Sequence, residues 1–353
     1  MITPVTKQIK VLVVDDSAFM RKVISDILEE DPRIKVIAKA RDGIDAVEKV
    51  LKLSPDVITL DVEMPRMDGI AALKEIMRLK PRPVVMVSSL TRKGTAVTIN
   101  ALALGAVDFV AKPSGAISLD MRAVAQELRE KVLVAASIDI EKLMKATPPP
   151  HEAKRLVPVK KGEVEVVAIA ASTGGPRAIQ SILERVKTTS IAPLVIVQHM
   201  PSGFTKSFAE RLNEISKLEV LEGFDNLPLK PGIAVVAPGG SHIIVESDRE
   251  KQLICRLSDV PPLHSVKPAA DLLFLSVADV VGGASMGIVL TGMGRDGAEG
   301  ARAIRQKGGY VIAESNETCV IYGMPKATIE CGGADEVLPL YAIPDRLEEI
   351  ASK

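Results

Sequence analysis

The sequence predicts an α/β protein with two mainly parallel sheets, each covered by helices on both faces. Short aliphatic runs alternate with helical patterns in residues 10–130, and a second alternating series begins near residue 163. Such alternation is typical of βαβ units and a parallel sheet. Only 3% of the residues are aromatic and Trp is absent, so the cores must be aliphatic. Aliphatic runs are what strands buried on both faces require.

The composition excludes several classes of protein. With 353 residues the chain is long enough for two domains. The 45 basic and 45 acidic residues cancel, which predicts no bulk attraction to nucleic acid. No run of 18 apolar residues and no signal-peptide pattern occurs, so we expect a cytoplasmic protein that is not embedded in a membrane. Cys255, Cys319 and Cys331 form no CxxC pair and are interpreted as small buried hydrophobic residues.

The first series of aliphatic runs predicts a domain at residues 8–132. Strands are expected at 10–14, 34–40, 57–60, 84–88 and 108–111, with helical patterns such as 18–30 and 43–52 between them. The prolines and polar residues that follow predict a linker at residues 133–162.

The second series predicts another α/β domain at residues 163–353. Its strands are expected at 164–171, 194–198, 233–237, 243–246, 252–257, 287–291 and 310–313. The pair of strands between residues 243 and 257 is interpreted as an antiparallel hairpin.

Acidic side chains and a lysine follow strands of the first predicted sheet. Asp15 and Asp16 come after the first strand, Asp61 after the third, and Lys112 after the fifth, while Ser88 ends the fourth. Ligands of such sheets bind beyond the carboxyl ends of the strands, where converging carboxylates need a cation such as Mg²⁺. Asp61 would then accept a phosphoryl group as an acyl phosphate. In the alternative interpretation, the first two acids only cap the following helix.

This segment resembles the receiver domain of response regulators, which has a flavodoxin-like fold. The motifs are Val14-Asp15-Asp16-Ser17, Leu60-Asp61-Val62-Glu63-Met64-Pro65, Val87-Ser88-Ser89 and Phe109-Val110-Ala111-Lys112-Pro113. The resemblance implies that Asp61 is phosphorylated by a phosphohistidine of a sensor kinase. It implies Mg²⁺ bound by Asp16, Asp61 and the carbonyl of Glu63, with Asp15 assisting. Ser88 and Phe109 would be switch residues, and Lys112 would neutralise the transferred charge.

A serine in the second domain has the setting of a nucleophile. Ser172 lies on a turn of small residues between a predicted strand and a helix, although such a turn is weak evidence alone because a capping serine is common. Of four histidines, His199 is the best base by position because it ends strand 194–198. Asp296, in the turn after strand 287–291, would orient that histidine.

The same turn admits a different interpretation. Residues 292–297 read Gly-Met-Gly-Arg-Asp-Gly, a literal GxGxxG between a strand and a helix, and Glu314 lies at the spacing of a ribose-binding acid. A dinucleotide site is therefore an alternative. It places the fingerprint late in the domain and leaves Ser172 and His199 without a role.

The second domain resembles chemotaxis protein-glutamate methylesterases. The motifs are Ala170-Ala171-Ser172-Thr173-Gly174-Gly175-Pro176, Gln198-His199-Met200-Pro201, Ala237-Pro238-Gly239, Ala269-Ala270-Asp271, Leu290-Thr291-Gly292-Met293-Gly294-Arg295-Asp296-Gly297 and Tyr322-Gly323-Met324-Pro325. The loop from His264 to Asp271 departs from the family's pattern.

The resemblance implies a hydrolase that demethylates glutamate methyl esters, and deamidates certain glutamines, of methyl-accepting chemotaxis receptors. Ser172, His199 and Asp296 would form the catalytic triad, and backbone N–H groups of Met293 and Thr173 the oxyanion hole. No cofactor is expected at this site. The chemotaxis histidine kinase would be the phosphodonor, and the unphosphorylated receiver would obstruct the esterase.

Two further functions are alternatives for the whole chain. One is a binding protein with a vestigial esterase, which the intact triad disfavours. The other is a DNA-binding regulator, which is disfavoured because the C-terminal half contains no basic helix-turn-helix pattern and the net charge is +0.

Overall fold

A computed structural model describes residues 8–89, 91–112, 124–140 and 164–352. The chain forms two compact units that are divided between residues 144 and 145. The predicted linker at 133–162 begins too early, because a helix continues to Ala136. Burial of Val132 and Ala135 on the inner face of that helix accounts for its length. Residues 141–162 of the predicted linker lie outside the described residues.

The first unit is a five-stranded parallel sheet with the strand order β2-β1-β3-β4-β5. Its strands are β1 (Ile9–Val14), β2 (Ile34–Ala40), β3 (Val57–Asp61), β4 (Val84–Ser89) and β5 (Asp108–Lys112). Its helices are α1 (Ala18–Glu29), α2 (Gly43–Leu53), α3 (Gly69–Leu79), α4 (Arg92–Ala103) and α5 (Ala125–Ala136). The doubly wound architecture and all five predicted strands are confirmed.

Short polar side chains begin the helices of this unit. The hydroxyl of Ser17 accepts a hydrogen bond from the Met20 N–H and so caps α1. Asp42 and Asp68 cap α2 and α3 in the same way. Because Ser17 performs the capping at α1, the alternative in which Asp15 and Asp16 only cap this helix is wrong.

The second unit is built on a seven-stranded parallel sheet with the order β15-β14-β13-β6-β7-β10-β8. These strands are β6 (Val166–Ala171), β7 (Leu194–Gln198), β8 (Glu219–Glu222), β10 (Ile233–Val236), β13 (Ser285–Val289), β14 (Tyr310–Glu314) and β15 (Glu336–Leu338). A separate antiparallel sheet has the order β11-β12-β9 and contains β9 (Leu227–Pro228), β11 (His242–Ser247) and β12 (Leu253–Ser258). The predicted hairpin is confirmed.

Six helices of this unit pack around the parallel sheet in the part of the chain that the structure describes. They are α6 (Gly175–Arg185), α7 (Phe204–Ile215), α8 (Ala270–Val281), α9 (Ala298–Gln306), α10 (Met324–Glu330) and α11 (Ile343–Ala351). Among the described residues, no helix is long and apolar enough to cross a membrane.

Three short strands, β8, β9 and β15, were not predicted, because two to four residues give too short a pattern. The strand predicted at 287–291 instead ends at Val289. Beyond the strand, the Leu290 N–H still donates to the carbonyl of Ala170, whereas the Thr291 N–H donates to the side-chain Oε2 of Glu314 instead of a backbone carbonyl.

The cysteines agree in part with the sequence interpretation. Cys255 and Cys319 are buried and Cys331 is half-buried, and all three are free thiols. Burial raises the pKa of the Cys255 thiol to about 12, so this residue is an inert part of the core.

Candidate functional site

Acidic residues and a lysine meet at the carboxyl edge of the first sheet. Asp15 follows β1, Asp61 ends β3, and Lys112 ends β5. The ammonium nitrogen of Lys112 lies 2.9 Å from Oδ2 of Asp15 and 2.9 Å from Oδ2 of Asp61. Carboxylate oxygens of Asp15, Asp16 and Asp61 all lie within 4.8 Å of one another, and Asp16 is exposed. The predicted cluster is therefore assembled.

The electrostatics of the cluster favour a cation. Burial raises the pKa of Asp61 to about 6, against the opposing attraction of Lys112. Burial opposes the charge on Lys112, but the carboxylates of Asp61 and Asp15 outweigh it and raise the pKa of that lysine. One ammonium faces three carboxylates, and oxygen ligands of this kind are those that hard divalent ions prefer.

The other predicted receiver residues lie around this cluster. The hydroxyl of buried Ser88 donates to the carbonyl of Gly94 in α4, 3.3 Å away. Phe109 is buried in β5, and the ammonium of Lys131 lies 5.1 Å from the centre of its ring. Glu63 is exposed in the loop that follows Asp61.

The nucleophile candidate lies on the turn between β6 and α6. Gly174 has φ +79, a left-handed conformation that lets the chain reverse into the helix. The Ser172 N–H donates to the carbonyl of Thr291 at 3.0 Å, and the Gly175 N–H donates to the carbonyl of Ser172 at 2.8 Å. The side chain of Ser172 is half-buried, and its hydroxyl makes no hydrogen bond with any described residue.

Half-buried His199 and buried Asp296 form a pair beside this turn. His199 follows β7, and its Nε2 lies 2.7 Å from Oδ2 of Asp296. Strands β7 and β13 both pair with β6 in parallel. The segments that carry the histidine, the aspartate and Ser172 therefore all follow the carboxyl ends of neighbouring strands. Because Nε2 faces Asp296, Nδ1 is the ring nitrogen that remains to act as a base.

Asp296 is held as a carboxylate. Its two oxygens accept the backbone N–H groups of Ala270 at 2.6 Å and Asp271 at 3.0 Å. Burial opposes its ionisation, but the hydrogen bond from His199 and these two N–H groups keep its pKa lowered overall. The aspartate therefore has the charge that is needed to orient and stabilise a protonated imidazole.

The predicted oxyanion donors flank the serine. A side chain at Gly292 has no room, since its Cβ would lie 2.8 Å from Cβ of Ser172. The neighbouring Met293 N–H has no acceptor within the described ranges of the chain and remains available. Thr173 follows the serine in the chain and is buried, and its carbonyl accepts the hydroxyl of Thr291 at 3.0 Å.

The remaining described histidines serve other purposes. His242 is fully buried, accepts the Ala269 N–H at Nδ1, and has Nε2 3.2 Å from the carbonyl of Pro261. His264 lies at the surface, with Nε2 3.0 Å from Asp271. Neither of these residues contacts Ser172, and His151 falls outside the described residues.

Comparison with known proteins identifies both units. The CheB methylesterase family model matches residues 167–347, which is half of the chain, and the response regulator receiver domain matches residues 11–123. The chain belongs to the CheB methylesterase family. The predicted resemblance is thereby confirmed for both units.

Relatives of the same architecture extend over nearly the whole chain. A protein-glutamate methylesterase/protein-glutamine glutaminase of Symbiobacterium thermophilum is 47% identical over 97% of this chain and 97% of its own. A protein of the same description from Thermotoga maritima is 47% identical over 97% of this chain and 98% of its own. The crystal structure of the Thermotoga maritima CheB methylesterase catalytic domain matches 52% of this chain and 97% of its own, with 42% identity and a TM-score of 0.51.

In this member of the CheB methylesterase family, the surroundings of Glu314 contradict a dinucleotide site. Glu314, the candidate ribose-binding acid, is fully buried. Its two carboxyl oxygens lie 2.8 Å from the Thr291 amide and 2.9 Å from the Thr318 hydroxyl. It therefore has no exposed oxygen with which to bind a ribose.

Gln198 is a site residue that the sequence interpretation missed. It is buried at the end of β7, and its side-chain amide donates to the carbonyls of Ser172 at 2.9 Å and His199 at 3.1 Å. A Cβ at Gly175 would collide with its amide oxygen. The sequence feature that could have indicated this role is a single polar residue, Gln198, in an otherwise aliphatic strand. In this member of the CheB methylesterase family, a single side chain connects the backbones of the candidate nucleophile and base.

We expect Gln198→Leu to reduce esterase activity and stability together. The Ser172 carbonyl keeps its hydrogen bond from the Gly175 N–H, so the main cost, about 1–3 kcal/mol, falls on the His199 carbonyl that loses its donor. Thermal unfolding and the rate of ester hydrolysis would be measured on the same preparation, with Gln180→Leu on the outer face of α6 as a control. Wild-type activity in Gln198→Leu would contradict a role in aligning Ser172 with His199.

Proposed function

We propose that this chain is a phosphorylation-regulated hydrolase of chemotaxis receptors. It would demethylate glutamate methyl esters and deamidate specific glutamines, as the names of its relatives describe for those proteins. The observation that carries the proposal is the 2.7 Å pair of His199 and Asp296 at the sheet edge where Ser172 begins its turn.

The proposed reaction uses Ser172 as the nucleophile. Its hydroxyl oxygen attacks the ester carbonyl while Nδ1 of His199 accepts the proton. Backbone N–H groups of Met293 and Thr173 stabilise the oxyanion, and Asp296 stabilises the imidazolium. Collapse of the intermediate releases methanol, which takes the proton from His199 and leaves a glutamyl ester on the serine.

Water completes the cycle by the same route. His199 removes a proton from the attacking water, and the second intermediate expels Ser172, which regains its proton. A glutamine side chain would react identically except that ammonia leaves. This unit requires no metal for these steps, because the proton and charge movements are all assigned to side chains and N–H groups.

The receiver unit would supply the control. The carboxylates of Asp16 and Asp61 and the carbonyl of Glu63, with Asp15 assisting, would hold Mg²⁺, which fits a set of clustered oxygens around a buried aspartate. When bound, the ion offsets the negative charge of the phosphoryl group as it is transferred. Asp61 would attack the phosphorus of a phosphohistidine on the chemotaxis kinase, and Lys112 would neutralise the acyl phosphate. Ser88 and Phe109 would respond to the modification.

The partners of this proposal are a methyl-accepting receptor and a histidine kinase. The proposal includes neither nucleic-acid binding nor insertion into a membrane. A cytoplasmic location remains a prediction. Radiolabelled methanol released from methylated receptor membranes tests the activity, with and without a phosphodonor. No release by the phosphorylated protein would contradict the proposal and favour a binding protein with a vestigial esterase.

Phosphorylation is expected to depend on one aspartate. Asp61→Asn should take up no phosphoryl group from labelled acetyl phosphate, because an amide is not a nucleophile at phosphorus, and chelation of Mg²⁺ should prevent uptake by the wild type. The measurement is acid-stable but base-labile radioactivity on the protein, and Asp26→Asn on the exposed face of α1 is the control. Label retained by Asp61→Asn would place the modification elsewhere.

Wild type and Asp61→Asn also test whether phosphorylation of the receiver regulates the esterase. Wild type treated with the phosphodonor should release methanol faster than Asp61→Asn under the same conditions. Equal rates in the two proteins would contradict control by the receiver while leaving the hydrolase activity itself intact.

A further inference from the structure

A fully buried histidine lies behind the aspartate of the His199–Asp296 pair. His242 begins β11 and has an exposed fraction of 0%. Its Nδ1 lies 3.0 Å from the backbone nitrogen of Ala269, and its Nε2 lies 3.2 Å from the carbonyl oxygen of Pro261. The proposed reaction assigns no role to this imidazole, although burial of a polar side chain is costly unless its hydrogen bonds are made.

The two contacts of His242 fix its protonation state. A backbone N–H group can only donate, so the Ala269 N–H requires a lone pair, and therefore no proton, on Nδ1. The carbonyl of Pro261 can only accept, so Nε2 carries the proton. Burial lowers the pKa of His242, despite the opposing effects of the Pro261 carbonyl and of Asp296, and Lys267 acts in the same direction as burial. The imidazole is therefore neutral.

The segment that His242 contacts is the one that holds the carboxylate of Asp296. The Ala270 N–H donates to Oδ2 of Asp296 at 2.6 Å, and the Asp271 N–H donates to Oδ1 at 3.0 Å. These N–H groups begin α8, whose N-cap residue, Ala269, supplies no capping side chain. Of three consecutive N–H groups, the first therefore binds the segment to His242 and the other two bind the aspartate.

The turn that carries His242 also contacts the loop that follows the base. A side chain at Gly239 has no room, since its Cβ would lie 2.5 Å from the Ser202 nitrogen in the loop after His199. The turn therefore packs directly against that loop, and at its other end His242 contacts the segment that holds Asp296. The relative position of the base and its aspartate thus depends on this turn.

We propose that His242, as the neutral tautomer with its proton on Nε2, is a positioning residue for ester hydrolysis that holds Asp296 in place for His199 through the Ala269 N–H. The proposal rests on the hydrolase function proposed above and deepens it. Loss of the Nδ1 acceptor frees the start of α8 to move, and Asp296 moves with it. The imidazole of His199 then loses the partner that selects its tautomer, so kcat falls while substrate binding is retained.

The test compares His242→Asn with His242→Leu, because the two new side chains have the same shape. The amide oxygen of asparagine can take the place of Nδ1 and accept from Ala269, whereas leucine has a methyl group there. Both variants lose the donor to Pro261 and part of the ring volume, so a purely structural role predicts equal damage. We expect kcat close to that of the wild type in His242→Asn. In His242→Leu it should fall by about 10²-fold at unchanged KM, the cost of a misplacement of about 1 Å.

NMR of the imidazole ¹⁵N nuclei at mildly alkaline pH gives a result that does not depend on activity. In the wild type, His242 should have a protonated Nε2 and an unprotonated Nδ1. His199 should show the same tautomer, because its Nε2 faces Asp296. His199 should keep that tautomer in His242→Asn and become a mixture of tautomers in His242→Leu. A proton on Nδ1 of His242 in the wild type would overturn the proposal.

Two further variants complete the test. His242→Gln can still donate to Pro261 but has no acceptor at the position of Nδ1, so its kcat should fall as in His242→Leu, and it replaces that variant if leucine prevents folding. Ser241→Ala is the control in the same turn, because the Ser241 hydroxyl makes no hydrogen bond with any described residue, and it should retain the wild-type rate.

Two activity results would contradict the role of His242. Equal kcat in His242→Asn and His242→Leu would overturn the proposal, as would wild-type kcat in His242→Gln. Absence of Ser172-dependent hydrolysis in the wild type would instead contradict the proposed function.

Discussion

Replacement of Ser172 by alanine is expected to reduce methanol release from methylated receptors by about 10³- to 10⁶-fold, the range found when a catalytic nucleophile is removed. The remaining rate would come from binding and from the oxyanion donors alone. The loss should be confined to chemistry, because the Ser172 hydroxyl makes no hydrogen bond with any residue that the structure describes. Its removal leaves no donor or acceptor unsatisfied, so thermal unfolding should change little.

The control for this experiment is a serine close to the same edge. Ser202 is exposed in the loop that follows His199, and Ser202→Ala should retain wild-type activity and stability. A rapid-quench digest of wild type with substrate should contain a glutamyl adduct on the peptide that carries Ser172. Full activity of Ser172→Ala, or an adduct on another peptide, would assign the nucleophile to a different residue.

The sequence was sufficient for the residues whose position follows from parallel strands. Asp15, Asp61 and Lys112 each follow a run of buried aliphatic residues, and such runs must end at the same edge of the sheet. The same geometry places the segments that carry His199 and Ser172 at the carboxyl ends of neighbouring strands, β7 and β6. These placements depend only on local pattern and on the direction of parallel strands.

The contacts of Gln198 and Glu314 could not be predicted in this way. Gln198 and Glu314 each end a strand, where a polar residue indicates either a ligand or the end of burial. Their roles depend on which carbonyl or amide they meet, and that is set by the order of strands in the sheet. The ribose-binding alternative for Glu314 arose because the spacing of residues in a chain carries no information about burial.

The ends of the helices and the short strands were harder to predict than the positions of the site residues. Strands β8, β9 and β15 owe their existence to pairing with longer neighbours rather than to their own patterns. Helix α5 continues past residue 132 because its apolar face finds partners in the first unit. In both cases tertiary contacts, which are invisible in the local sequence, determine where the element ends.

Asp296→Asn is expected to have the other large effect, a loss of activity of about 10³- to 10⁴-fold, as observed when an amide replaces the aspartate of a triad. Without the carboxylate, the imidazole loses both the acceptor that selects its tautomer and the charge that stabilises its protonated form. Here the substitution should also cost stability. Both carboxylate oxygens accept backbone N–H groups, from Ala270 and Asp271, so the new NH₂ group must face a donor whichever way the amide is turned. One such unsatisfied contact costs about 1–3 kcal/mol.

Asp271→Asn is the matched control because it lies next to the same network but can accommodate an amide. One of its oxygens accepts the Gly300 N–H at 2.8 Å, and the other faces His264, whose ring can present an acceptor. An asparagine oriented with its oxygen toward Gly300 therefore keeps both contacts, and we expect activity near that of the wild type. Measurement of kcat/KM together with denaturant unfolding distinguishes the two substitutions. If Asp296→Asn lost activity at wild-type stability, the two backbone N–H groups would not be what fixes the aspartate, and the orientation of His199 would have to depend on the side-chain pair alone.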